Sequence, residues 1–117
     1  MTVNEFICRI REFKPFDDLF SEFEKEWEGY PQMIFFSFLG KRIAQDCDRY
    51  TEEESDFIFE IIEQSILVGD SDLKEYVATC VLEAFFNHAY KMGEWGRLRK
   101  KLGQNSLNYI KDWLSVD

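Results

Sequence analysis

The chain has 117 residues, of which 45% are apolar, and its 23 acidic and 14 basic side chains give a net charge of −9. This length fits one domain, and 12 Phe, 3 Trp and 5 Tyr are enough for a packed core, which argues against a disordered acidic protein. The negative charge disfavours phosphate backbones as ligands and favours rapid encounter with a basic protein.

The sequence also predicts a cytoplasmic protein without a membrane segment. No stretch approaches the roughly 20 consecutive apolar residues that cross a bilayer. The N-terminus carries Glu5 where a secretory signal would have basic residues and then a long apolar run. Three widely spaced cysteines, Cys8, Cys47 and Cys80, contain no CxxC pair, and they indicate reduced core thiols.

Helical spacing of apolar residues begins at the first residues. Thr2 and Glu5 have the spacing of a capping box and open a short first helix that reaches about Phe13. Pro15 ends that helix and suits the first turn of a second, whose apolar stripe runs from Phe16 to Trp27.

Three longer predicted helices and two short ones follow. The turn 29–31 leads to a central helix from about Gln32 to Cys47, and a second capping box at Thr51 opens a helix that ends at Gly69. A fifth helix begins near residues 70–72 and stops near Gly93, and two pieces at about 94–101 and 105–115 close the chain. No run alternates with period two. We therefore predict one all-α domain, 1–117, with antiparallel helix pairs stacked as a HEAT- or armadillo-like array of about six or seven helices.

The acidic residues are clustered in two segments. Residues 12–28 contain seven acidic and two basic side chains, and residues 46–63 contain eight acidic side chains and one arginine. In the second segment Glu53, Asp56, Glu60 and Glu63 are spaced to lie on one face of one helix. Basic residues gather instead near the C-terminus, at 91–101, where they can balance the acidic half of the molecule.

Seven of these carboxylates and one tyrosine are the predicted partner-binding residues. The four on the fourth helix come first, and they are followed by Asp17, Asp18, Glu22 and Tyr50. Like charges at neighbouring helical positions cost about 0.2–0.5 kcal/mol each, so an uncompensated stripe favours a binding surface. The alternative is a solvated face that only keeps the protein soluble.

Aromatic residues provide a second candidate feature. We expect that Phe35, Phe36 and Phe38 cannot all face inward together with Phe57 and Phe59, so that some of them contribute to a protein-binding hot spot. The alternative is a core unusually rich in Phe.

Catalytic and metal-binding patterns are not found. His88 is the only histidine, Cys80 lies about two turns earlier on the same helix, and Glu83 is five residues before His88 rather than three. No nucleophile elbow or phosphate-binding glycine loop accompanies them. We therefore expect no catalysis, no metal and no cofactor; a hydrolytic or metal-dependent site around His88 is the competing hypothesis.

Two stretches of the sequence are similar to those of a known class of proteins. One is Glu12-Phe13-Lys14-Pro15-Phe16 with Phe23 and Glu26-Trp27, and the other is Val68-Gly69-Asp70 with residues 73–77 and 81–83. Together they resemble small acidic all-helical bacterial immunity proteins of contact-dependent growth-inhibition and polymorphic toxin systems, including HEAT-like immunity proteins against EndoU-type ribonuclease toxins.

This resemblance implies a role but transfers no functional residue. The implied function is an immunity protein, or antitoxin, that blocks the basic active-site cleft of a cognate nuclease toxin, an RNase in the preferred version. The alternative is a helical-repeat adaptor unrelated to toxins. The expected partner is a protein and not a nucleic acid or membrane, and the sequence leaves the oligomeric state open, with a monomer preferred.

Overall fold

The computed structural model describes residues 1–27, 29 and 31–114, and this part of the chain forms seven α-helices and no strand. The helices are α1 (Val3–Ile10), α2 (Lys14–Glu26), α3 (Gln32–Asp46), α4 (Glu52–Val68), α5 (71–91), α6 (Trp95–Leu98) and α7 (Gln104–Leu114). Short 3₁₀ turns at Cys47–Arg49 and Arg99–Lys101 follow α3 and α6. The predicted all-α class with about seven helices is confirmed, while Tyr30 of the predicted turn and Ser115 lie outside the described residues.

Side-chain caps fix the helix starts that the sequence predicted. The Thr2 hydroxyl accepts the Glu5 backbone N–H at 3.1 Å, and the Glu5 carboxylate accepts the Thr2 N–H in return. Thr51 and Glu54 form the same reciprocal pair at the start of α4. Each pair satisfies two backbone donors that would otherwise have no partner at a helix end.

The central helix α3 packs mainly against α5 rather than against its neighbours in sequence. Phe35, Phe36, Leu39 and Ile43 are fully or almost fully buried along α3. Gly40 lets the two backbones approach closely, because a Cβ at this position would overlap the carbonyl group of Val81 on α5. The α5 helix widens to a π-helical segment, Tyr76–Leu82, along this contact.

The core absorbs the aromatic residues that the sequence analysis expected in excess. Phe35, Phe36 and Phe59 are buried, and Phe38 and Phe57 are partly buried and pack against the core. The rings accommodate one another by edge-on and tilted contacts, such as Phe20–Phe35 with centroids 5.0 Å apart and Phe13–Phe57 at 4.5 Å. Three of the five are therefore core residues, while Phe38 and Phe57 pack against the core and keep part of their surface accessible.

The prediction of a buried core thiol is wrong for Cys8. Cys47 and Cys80 are buried, as expected for core thiols, but Cys8 is exposed. The buried side of α1 is formed by Phe6 and Ile10, and Cys8 is two residues from each. At about 100° per residue this spacing directs Cys8 to the opposite side of the helix.

No helix within the described ranges combines the length and the apolar character needed to span a bilayer.

Candidate protein-binding surface

Three of the predicted carboxylates form an open surface on α4. Glu53, Asp56 and Glu60 are exposed, and none of them forms an ion pair with another described residue. The opposite side of the helix is held in the core by Ile58, Ile61 and Ile62, which sets the direction of the acidic side chains. We call Glu53, Asp56 and Glu60 the acidic face of α4.

Glu63 has a different environment from the other three. Its Oε2 accepts hydrogen bonds from the backbone N–H and the side-chain amide of Asn105, both at 2.8 Å. Its Oε1 accepts the backbone N–H of Ser106 at 2.9 Å and the Ser106 hydroxyl at 2.8 Å. A Cβ at residue 103 would collide with the Glu63 carboxyl, so the glycine there makes room for it.

These contacts make Glu63 a cap for the N-terminus of α7. Burial of the Glu63 carboxyl acts to raise its pKa, but the hydrogen bonds from Asn105 and Ser106 outweigh that effect, and the pKa is lowered. An ionised carboxylate also suits the positive end of a helix dipole. Glu63 was predicted to join the partner-binding stripe, but the structure commits its carboxylate to internal hydrogen bonds.

A polar cleft of about 500 Å³ borders the acidic face of α4. Asp56, Glu60 and Glu63 line one side, and Lys100 and Lys101 also line it. Neither lysine forms an ion pair within the part of the chain that the structure describes. The acidic face therefore has cations at one edge and open solvent elsewhere.

The carboxylates predicted on α2 have internal cation partners. Asp17 pairs with Arg11 at 2.6 Å, and Asp18 pairs with Lys14 at 3.1 Å. Glu22 lies 3.9 Å from the Arg42 guanidinium. The negative charge predicted on α2 is thus partly neutralised by neighbouring side chains.

The remaining predicted residue, Tyr50, lies in a second, smaller cleft of about 260 Å³. Asp18, Glu22, Arg42 and Arg49 line the same cleft, so the structure brings Tyr50 together with two of the predicted acids on α2. The Tyr50 ring contacts the Phe16 ring edge-on at 5.0 Å, and burial raises the pKa of its hydroxyl. Of the eight predicted residues, four therefore lie on α4, three line this cleft, and Asp17 lies on α2 outside the lining of the cleft.

His88 lies near the C-terminal end of α5, in the segment Glu83–Lys91. Its side chain is half-buried, and its Nε2 is enclosed without a hydrogen-bond partner. Across the described ranges, no group of three or more His, Cys, Asp or Glu side chains is arranged to hold a metal ion.

Sequence reasoning missed an open apolar groove between α3 and α5. Ile34, Phe38 and Lys41 line it from α3, and His88 and Lys91 are among the residues that line it from α5. The spacing of Ile34, Phe38 and Lys41 places them on one side of α3, which was a usable signal. That α5 lies beside this part of α3 could not be read from the sequence.

Comparisons with known proteins identify the family to which this chain belongs. No curated protein and no solved structure matches the chain significantly. Residues 3–115 match the family described as "Domain of unknown function (DUF7674)". Because this match covers nearly the whole chain, the protein belongs to the DUF7674 family.

Proposed function

We propose that this domain acts by binding a basic protein through the acidic face of α4, and that it serves as an immunity protein against a nuclease toxin inside the producing cell. The observation that carries the proposal is the contrast between the two acidic regions. Asp17, Asp18 and Glu22 on α2 form ion pairs, whereas the acidic face of α4 forms none within the described residues, although Lys100 and Lys101 line the cleft beside it.

The geometry of this face suits recognition of a row of basic side chains. Glu53, Asp56 and Glu60 are spaced at i, i+3 and i+7, so they span about 10 Å along a helix that rises about 1.5 Å per residue. The capping box at Thr51 and Glu54 and the buried isoleucines fix the position of α4. The helix backbone that carries these carboxylates is already ordered, so binding must order only their side chains, at about 0.5–1.5 kcal/mol each.

A nuclease is a suitable class of partner because its substrate cleft must attract phosphates with Lys and Arg. A protein that places carboxylates in that cleft is attracted by the same charges and excludes the nucleic acid. The resemblance to immunity proteins supports the same class of partner. The chain's net charge of −9 adds long-range attraction toward a basic domain.

The test uses the purified chain and the purified product of the gene directly upstream, which the proposal expects to carry the toxin domain. We expect the wild-type chain to bind that domain and to inhibit its nuclease activity. The combined variant Glu53→Lys/Asp56→Lys/Glu60→Lys should lose at least about tenfold in affinity, since close interfacial charge pairs are worth more than 1.4 kcal/mol each.

A matched control separates a local effect from a change in net charge. Glu26→Lys/Glu75→Lys/Asp112→Lys changes the charge by the same amount at three exposed positions on α2, α5 and α7. This control should retain binding and inhibition. Absence of binding by the wild-type chain at low salt would refute the immunity role, and equal loss in both variants would refute the assignment to α4.

A further inference from the structure

The groove between α3 and α5 has a volume of about 460 Å³, and none of the eight predicted partner-binding residues lines it. Its walls include Ile34, Phe38 and Lys41 on one helix and Ala84, His88 and Lys91 on the other. In each helix these residues recur every three or four positions, so they form two parallel walls about two helical turns long.

The floor of this groove is apolar and open to solvent. Ile34, which lines the groove, is 40% exposed. Phe38 is held in place from below, because its ring contacts the Phe23 ring at 5.3 Å and the Arg42 guanidinium lies 5.4 Å from its centre. The groove is therefore a preformed surface rather than a set of loosely placed side chains.

The charge on the groove is opposite to that of the molecule as a whole. Lys41 and Lys91 both line it, and neither forms an ion pair with the described residues. Arg11, Lys14 and Arg97 have carboxylate partners, whereas the two groove lysines, like Lys100 and Lys101, have none among the described residues. Two uncompensated lysines beside an apolar floor are complementary to a ligand that combines apolar groups with carboxylates.

We propose that this groove binds an acidic amphipathic helix of a partner protein. Apolar side chains of that helix, spaced at i, i+3 or i+4 and i+7, would cover Ile34, Phe38 and Ala84, and its carboxylates would pair with Lys41 and Lys91. A helix satisfies its own backbone hydrogen bonds, so it needs only apolar and ionic contacts from the groove.

The shape of the groove favours a helix over a small molecule. Small-molecule sites enclose most of the ligand surface, whereas this groove is open along its length. It runs between two helices that are themselves in contact, which is the geometry that a third helix fills in helical packing. The inference is independent of the proposed function, since the acidic face of α4 takes a basic partner and this groove takes an acidic one.

The experiment is a selection from a displayed library of random peptides of about 14 residues, enough for about four helical turns, against the full chain. The affinity of the selected peptides is then compared with their affinity for the variant Lys41→Glu/Lys91→Glu. Its matched control is Lys74→Glu/Lys111→Glu, which changes the net charge equally at two exposed lysines that do not line the groove. A second pair tests shape: Ser37→Tyr fills the groove from an exposed lining position, and Ser21→Tyr adds the same ring on α2.

We expect enriched peptides to share apolar residues at helical spacing with Asp or Glu between them. Their affinity should fall at least about tenfold for Lys41→Glu/Lys91→Glu and for Ser37→Tyr, and should stay unchanged for both controls. Absence of enrichment, enriched peptides without acidic residues, or equal losses in the controls would overturn the proposal.

Two other outcomes would assign the groove to a different occupant and also contradict the proposal. One is a concentration-dependent dimer of the unliganded chain, seen by sedimentation, that Ser37→Tyr disrupts. The other is decanoate binding in the groove without enrichment of any peptide.

Discussion

Glu63 on α4 and Ser106 on α7 are joined by two hydrogen bonds to one carboxylate oxygen. Oε1 of Glu63 accepts the Ser106 backbone N–H at 2.9 Å and the Ser106 hydroxyl at 2.8 Å, and Ser106 is completely buried. Together with the bonds from Asn105, these contacts fasten α7 to α4. This cap stands one helical turn from the acidic face of α4 and fixes the end of the polar cleft beside it.

Replacement of this carboxylate should destabilise the fold. We expect Glu63→Gln to lower the free energy of unfolding by about 1–3 kcal/mol, because charge-assisted hydrogen bonds to buried donors are lost or weakened. Urea denaturation measures the change. Glu60→Gln, at an exposed position one turn earlier, should change stability by no more than about 0.5 kcal/mol. Equal effects at the two positions would contradict the capping role.

The same carboxylate should give stability a dependence on acid pH. Its folded-state pKa is lowered, so its contribution is fully present above the unfolded-state pKa of about 4.3 and is lost as the pH falls through the lower folded-state pKa. The difference in unfolding free energy between the wild type and Glu63→Gln should therefore be largest near neutral pH and shrink below about pH 4. Denaturation curves from about pH 3 to 7 test this, and a difference that grows on acidification would have the wrong sign.

Gly40 should tolerate no side chain. A Cβ there would overlap the Val81 carbonyl, which belongs to the backbone and cannot rotate away, so Gly40→Ala should cost about 1–3 kcal/mol or more. Gly96 in α6 has open space around it, and Gly96→Ala should be neutral or should stabilise by up to about 1 kcal/mol. Thermal denaturation of the two variants compares them, and a neutral Gly40→Ala would show that the α3–α5 contact is looser than described.

Thiol reactivity should distinguish Cys8 from the other cysteines. Cys8 is exposed, while Cys47 and Cys80 are buried, and burial raises the pKa of the Cys47 thiol and so lowers its thiolate fraction. Reaction of the native protein with Ellman's reagent should show one fast thiol and two slow ones. The fast phase should vanish in Cys8→Ser, and its persistence in that variant would contradict the assignment.

The helix ends were predictable because their signals are local. Each capping box joins two residues that are three positions apart, Thr2 with Glu5 and Thr51 with Glu54. The residues that form each cap are therefore close together in the sequence. Pro15 and the apolar spacing likewise act within one or two turns. These signals fix the number of helices and most of their limits, although α1 ends at Ile10 rather than near Phe13.

Features that depend on pairs of distant residues were not predictable in the same way. Glu63 fits the spacing of an exposed acidic stripe. Only its hydrogen bonds to Asn105 and Ser106, which follow more than 40 residues later in the sequence, reveal that it caps α7. Gly40 looks like an ordinary weak point in a helix until α5 is placed against it. The excess of Phe was misjudged because edge-on packing of rings such as Phe59 and Phe85 allows more of them into a small core than a count of helix faces allows.

The most direct test of the central claim is the rate at which the chain associates with its basic partner as ionic strength changes. Stopped-flow measurements should show a wild-type rate above the roughly 10⁵–10⁶ M⁻¹s⁻¹ of unsteered association at low salt, falling steeply as salt is added. For Glu53→Lys/Asp56→Lys/Glu60→Lys the rate should be lower, with a much smaller salt dependence. Identical rates and salt dependence for the two proteins would contradict a binding role for the acidic face of α4.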